Sequence, residues 1–190
     1  MPSLDHDDAS QGGTDPRSPG DALADAASTF VLLGTIAAHL TFIRADRRLP
    51  ADLGRYYTDL PELWEAWGSP AESAGHLLGA LAEIGGWYNL LLAGALRFFG
   101  RHPAVFQLLD LVSVAAVVLL AAAVARRLGG PVAGLVAASL TAAAPVVVVE
   151  GRHAWIHLPE AALVLGALYA WVRDPTLRAP VSRWALAILG

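Results

Sequence analysis

Val146-Val147-Val148-Val149-Glu150-Gly151-Arg152-His153-Ala154-Trp155-Ile156-His157 is the stretch on which the reading of this chain turns. Four valines end abruptly in an acid, a glycine, an arginine and a histidine, and a second apolar run opens at Leu158. The core of a bilayer excludes charged groups and unsatisfied backbone. A helix that surfaces, presents polar side chains at the water boundary and dives back has this pattern. The sequence therefore predicts a membrane protein with chemistry at a helix end.

Composition agrees. Of the 190 residues, 55% are hydrophobic and only 16% charged, and the mean hydropathy is +0.49. That balance lies away from an average soluble domain and suits several spanning helices joined by loops. The formal charge of −4 arises largely at the N-terminus, where Asp5, Asp7, Asp8, Asp15, Asp21 and Asp25 face only Arg17. No basic patch with interleaved aromatics points to nucleic acid. Cysteine is absent, which excludes disulfide and thiolate chemistry. All 13 basic residues are arginine, a choice that reads as coding bias.

Residues 1–25 are rich in Asp, Ser, Gly and Pro and read as a disordered acidic tail. Spans are expected at about 26–43, 104–124, 131–149 and 157–172. Arg44, Arg47 and Arg48 stop the first, and Arg126-Arg127-Leu128-Gly129-Gly130-Pro131 reads as a tight basic turn between the second and third. Residues 44–103 form an expected external loop bearing short interfacial helices, one opening at Asp59-Leu60-Pro61-Glu62 and carrying Trp64 and Trp67 on one face. His76 to Phe99 is long enough to cross, but Glu83, Gly85-Gly86 and Asn89 interrupt it. Two short helices broken at Gly85-Gly86 are expected there. Arg126, Arg127, Arg173, Arg178 and Arg183 on the cytoplasmic side obey the positive-inside rule, which places the Glu150–His157 island outside. Arg44, Arg47, Arg48 and Arg55 run against that rule, and charge bias alone would favour a fifth span over 76–99.

The order Tyr88-Asn-Leu-Leu-Leu-Ala-Gly-Ala-Leu-Arg97-Phe-Phe-Gly100, Phe106-Gln-Leu-Leu-Asp110, Ala125-Arg-Arg-Leu-Gly129, Ala144-Pro145 and Glu150-Gly-Arg152 resembles the N-terminal half of bacterial GT-C glycosyltransferases. These are the multi-spanning enzymes related to protein O-mannosyltransferases and aminoarabinose transferases. The resemblance covers roughly residues 26–175. It implies an all-α polytopic transmembrane helical bundle in a bacterial inner membrane, with its site facing outside the cytoplasm. The implied reaction moves a sugar from a polyprenyl-phosphate donor to an external acceptor. The partners implied are that lipid-linked donor and membrane lipids. The family's enzymes are longer, so 26–190 reads as an N-terminal module whose last apolar run, Ala185 to Gly190, is cut short.

Residue by residue, the family's acidic loop motif falls on Asp52-Leu53-Gly54-Arg55-Tyr56-Tyr57, and its external Glu-x-Arg falls on Glu150-Gly151-Arg152. Asp52 is the expected base for the acceptor hydroxyl. Arg55, Tyr56, Glu150 and Arg152 are the expected donor contacts, the arginine fork matching phosphate geometry. Read without the resemblance, Asp52 is a solvated loop residue, and Glu150 and Arg152 are a helix-end pair reaching for water. His153 and His157, followed by Glu160, have spacing that could hold a divalent cation, although Pro159 interrupts the turn and interfacial histidines are common. Asp110 lies inside a span and reads as lining a polar cavity or bonding a neighbouring helix. Leu53 stands where the family has a second acid, Gly85-Gly86 where it has prolines and Gln107 where it has arginine. Those departures favour the alternative, a non-catalytic polytopic accessory or transporter-like subunit that keeps only the scaffold.

Overall fold

The computed structural model describes residues 18–41, 43, 86–100, 102–151 and 157–176. All regular structure among them is helical. In chain order the elements are α1 (Pro19–Leu40), α2 (Gly86–Phe99), α3 (Pro103–Ala143), α4 (Pro145–Glu150) and α5 (His157–Arg173).

Helix α1 begins earlier than its apolar run. Ser18 Oγ accepts the Asp21 N–H at 3.1 Å, and Asp21 Oδ2 accepts the Ser18 N–H at 3.4 Å. This capping box is followed by Pro19 at the first helical position, where its missing N–H does no harm. Residues 19–25, assigned to the polar tail on composition, therefore belong to α1. The helix ends at Leu40, three residues short of the expected limit, with Thr41 as its C-cap. The loop expected at 44–103 is described only from Gly86 onward, where α2 starts. Gly100, at φ +83°, ends α2 in the left-handed conformation that a glycine takes without a Cβ penalty.

Helix α3 is two limbs. Gly130 has φ +82° and ψ −177°, and Pro131 opens the second limb. A Cβ built on Gly134 would lie 3.1 Å from the Ala122 carbonyl oxygen and 3.0 Å from the Arg126 Cβ. In a continuous helix, residues twelve apart are separated by about 18 Å. The chain has therefore doubled back at Gly130, and limb 103–129 lies antiparallel to limb 131–143. The first limb runs past its expected end at 124, because Ala125 to Gly129 continue the helix up to the turn. The expected span 131–149 is broken at Ala144-Pro145. Proline drives the residue before it into extended backbone, here φ −61° and ψ 126°, and α4 restarts after it.

The other elements pack around this hairpin, with α1 and α5 making its broadest contacts. Asp25 of α1 pairs with Arg126 at one end of the first limb. Nearer the middle of that limb, a Cβ on Gly151 would meet both Val114 and His39, so α1 runs antiparallel to it. A core of Val114, Val117, Val147 and Leu158, with Ala144, Ala161, Ala162 and Leu165 against it, joins the hairpin to α4 and α5.

Among the described residues, two elements are long and apolar enough to cross a membrane: Pro19–Leu40 and Ala104–Ala143, the latter folded at Gly130. In their most apolar windows only 11% and 28% of residues are buried. The core helix of a soluble protein would hide such residues. Here Phe30, Leu33, Val112, Leu119, Val132, Val136 and Leu140 are all exposed. Four hydroxyls within these helices are satisfied locally: Ser28, Thr29, Thr35 and Ser113 donate to the carbonyls of Ala24, Asp25, Val31 and Leu109 at 2.7–3.0 Å. That is how a polar side chain is tolerated where no water is at hand.

Candidate functional site

Antiparallel packing gathers one set of polar residues at a single end of the bundle: the end of α1, the start of α3, the end of α4 and the start of α5. From α3 come Gln107, Asp110 and Ser113, at 8%, 1% and 9% exposure. Asp110 sits in the buried stripe Phe106–Asp110–Val114, whose period is that of a helix face turned inward. A carboxylate in such a place is expensive unless it is engaged, and Asp110 does hold an interaction within the fold. The apolar members of the stripe, Phe106 and Val114, are wholly buried. Residues Tyr88 and Leu92 of α2 are also buried.

His39 enters from α1 at 6% exposure. Its Nδ1 lies 2.9 Å from the Thr35 carbonyl, which can only accept, so in the neutral ring Nδ1 carries the proton. The lone pair is then on Nε2, which is buried and has no hydrogen-bond partner. Nε2 is directed at Gly151, the C-cap of α4: a Cβ there would lie 3.0 Å from it, 2.7 Å from the Val147 oxygen and 2.4 Å from Val114 Cγ2. The absence of a side chain at Gly151 lets α1, α3 and α4 converge. Asp110 lies one turn of α3 beyond Val114, about 6 Å further along the axis.

The island's members fare differently. Glu150 is the last residue of α4, adjoining the His39 contact through Gly151. Arg152 and His153 lie outside the described residues, as do Asp52, Arg55 and Tyr56. His157 opens α5, and its Nδ1 is 3.9 Å from Glu160 Oε2, with both side chains well exposed. Pro159 does not interrupt that turn. It sits in the first turn of α5, where backbone N–H groups have no helical acceptor in any case. The His157–Glu160 spacing is thus real, but among the described residues no three potential ligands gather to hold a metal.

Asp110 is legible in the sequence as an acid inside a span, whereas His39 is not. The only signal for His39 was a ring nitrogen one turn before the end of an apolar run. Its burial depends on Gly151, more than a hundred positions away. The arrangement can accept hydrogen bonds from hydroxyls at Nε2 and balance a cation at Asp110, both close to Gly151 at the end of α4. No protein family, no curated protein and no solved structure matches this chain.

Proposed function

We propose that this chain is the N-terminal module of a polytopic membrane glycosyltransferase of the GT-C kind, working at the outer face of a bacterial inner membrane. In this reading α1, the two limbs of α3 with α4, and α5 cross the bilayer in alternating directions, while α2 lies at the outer surface. The observation that carries it is the burial of Asp110 and His39 at one end of an otherwise apolar bundle, where Glu150 also ends its helix. Buried ionisable groups in a membrane bundle are costly and mark substrate or ion paths.

The reaction is transfer of a sugar from a polyprenyl-phosphate donor to a hydroxyl of an extracytoplasmic acceptor. Asp52 takes the hydroxyl proton as the acceptor oxygen bonds to the sugar's anomeric carbon. The bond from that carbon to the phosphate oxygen breaks, and polyprenyl phosphate leaves. Arg55 and Arg152 offset the charge gathering on the departing phosphate, and Tyr56 and Glu150 bond the sugar. A divalent cation, if the reaction takes one, falls nearest His153 and His157. The support for these roles is the order of motifs in the sequence.

The test is sugar transfer in membranes supplied with a polyprenyl-phosphate sugar, using the full-length protein with expression checked alongside. Asp52→Asn keeps shape and hydrogen bonding but cannot take a proton, and loss of a general base lowers rate about 10²–10⁴-fold. Wild-type turnover by this variant removes Asp52 from the reaction, whereas no sugar transfer by the unsubstituted protein leaves a non-catalytic scaffold as the better account.

A further inference from the structure

At the end of the bundle opposite His39 and Asp110, a groove of about 290 Å³ opens between α1 and the α3 hairpin. It has space for roughly ten water-sized groups. Its walls are apolar, with Leu32, Val118, Leu119 and Ala122 among them. Gly134 and Ala138 supply the rest of the depth by contributing little or no side chain. Water gains nothing in such a cleft, whereas a hydrocarbon chain fills it well.

The polar end of the groove has a definite chemistry. Asp25, Ser28, Thr29 and Arg126 line it, and Asp25 is paired with Arg126. The hydroxyl protons of Ser28 and Thr29 are already donated to the Ala24 and Asp25 carbonyls. Each oxygen therefore offers the groove lone pairs alone. Three acceptors, one of them a carboxylate, thus lie beside one guanidinium, and Arg127 is exposed next to it. The complement of this set is a headgroup carrying both signs: a phosphate for the arginine side and a donor-rich cation for Asp25, Ser28 and Thr29. A purely anionic headgroup would meet the Asp25 carboxylate. A quaternary ammonium would bring charge but no N–H to the three acceptors.

We propose that this groove binds a phospholipid with a primary ammonium headgroup, a phosphatidylethanolamine, one acyl chain lying along the apolar wall. The inference rests on the membrane part of the reading above and not on glycosyl transfer. The ammonium bonds Asp25, Ser28 and Thr29 while the phosphate takes guanidinium N–H groups left over from the ion pair, since arginine has five.

The experiment is native mass spectrometry of the detergent-purified full chain, with retained lipid counted after exposure to phosphatidylethanolamine, phosphatidylcholine or phosphatidylglycerol of identical acyl chains. Wild type is expected to retain the ethanolamine lipid over the choline lipid by about fivefold, the scale of one net hydrogen bond from the ammonium. Asp25→Asn and Ser28→Ala should each reduce that preference, and Arg126→Gln should lower retention of every phospholipid. Ser28→Ala leaves the Asp25–Arg126 pair intact, so it carries the test if the pair proves necessary for folding. Equal retention of the three lipids, preference for the glycerol lipid, or an unchanged preference in Ser28→Ala overturns this inference while leaving the membrane reading in place. A chain that stays monodisperse in buffer without detergent overturns both.

Discussion

Replacing Gly151 with alanine adds one methyl group at the point where α1, α3 and α4 meet. The new Cβ would stand 2.4 Å from Val114 Cγ2, 2.7 Å from the Val147 oxygen and 3.0 Å from His39 Nε2. Carbon atoms in contact prefer about 3.5–4.0 Å, so relief requires a displacement of roughly 1 Å. None of the neighbours is free to give way. Val114 is wholly buried, Val147 O is tied to the Gly151 N–H at 3.0 Å, and His39 is held by Thr35. Overpacking of this kind costs about 1–3 kcal/mol, and with such fixed neighbours the upper part of that range is expected. Backbone strain contributes nothing, because Gly151 has φ −64° and ψ 4°.

Gly34 in α1 and Gly94 in α2 supply the control, since a Cβ on either meets nothing within 4 Å. Alanine at those positions should stabilise by about 0.5–1 kcal/mol through helix propensity. The two substitutions therefore have opposite signs. The assay is unfolding of the purified chain in mixed micelles, followed by tryptophan fluorescence. Adding Val114→Ala removes the closest offending carbon, so the double variant should be less destabilised than the two single effects summed, by about 1 kcal/mol. A Gly151→Ala variant as stable as Gly34→Ala would refute the convergence of the three helices.

Other expectations follow from the same architecture. Gly130→Ala forces an alanine to φ +82°, ψ −177°, a region essentially reserved for glycine, and should destabilise by about 1–3 kcal/mol, measured by the same unfolding assay. Arg152→Lys should weaken binding of a polyprenyl-phosphate sugar despite keeping the charge, because lysine lacks the planar fork; equal affinity removes Arg152 from the site. Single cysteines at Ser69→Cys and His102→Cys should both react with a membrane-impermeant label in intact cells. Labelling at His102→Cys alone would show that 76–99 crosses the membrane.

The hairpin of α3 was readable because Gly129-Gly130-Pro131 carries its own chemistry: a residue free to take positive φ, then one suited to a helix start. The start of α1 was missed for the reverse reason. Its signal is four residues, Ser18 to Asp21, inside a tail whose average composition reads as unstructured, and averaging hid the cap. Hydropathy likewise carried the third span straight through Ala144-Pro145, although proline's effect on the preceding residue was legible there. The expected base Asp52 and the expected donor contacts Arg55, Tyr56 and Arg152 fall outside the described residues, and their roles rest on motif order alone.

Two kinds of polar group stand out inside these helices, and the contrast bears on the proposed site. Ser28, Thr29, Thr35 and Ser113 each bond a carbonyl one turn back, so their own helix neutralises them and they need no tertiary partner. Asp110 and His39 cannot be satisfied that way in full. A mid-helix carboxylate finds the nearby backbone N–H groups already used. A histidine whose Nδ1 donates to its own helix still has Nε2 to place. His39 therefore depends on what lies across the bundle, at Gly151, and Asp110 is buried one turn of α3 from the Val114 that meets the same glycine. A sequence under pressure only to span a bilayer would keep the first kind and shed the second, since an aliphatic residue at either position removes a desolvation penalty. A buried acid and a buried imidazole kept close to Gly151 therefore support the proposed site over a scaffold alone.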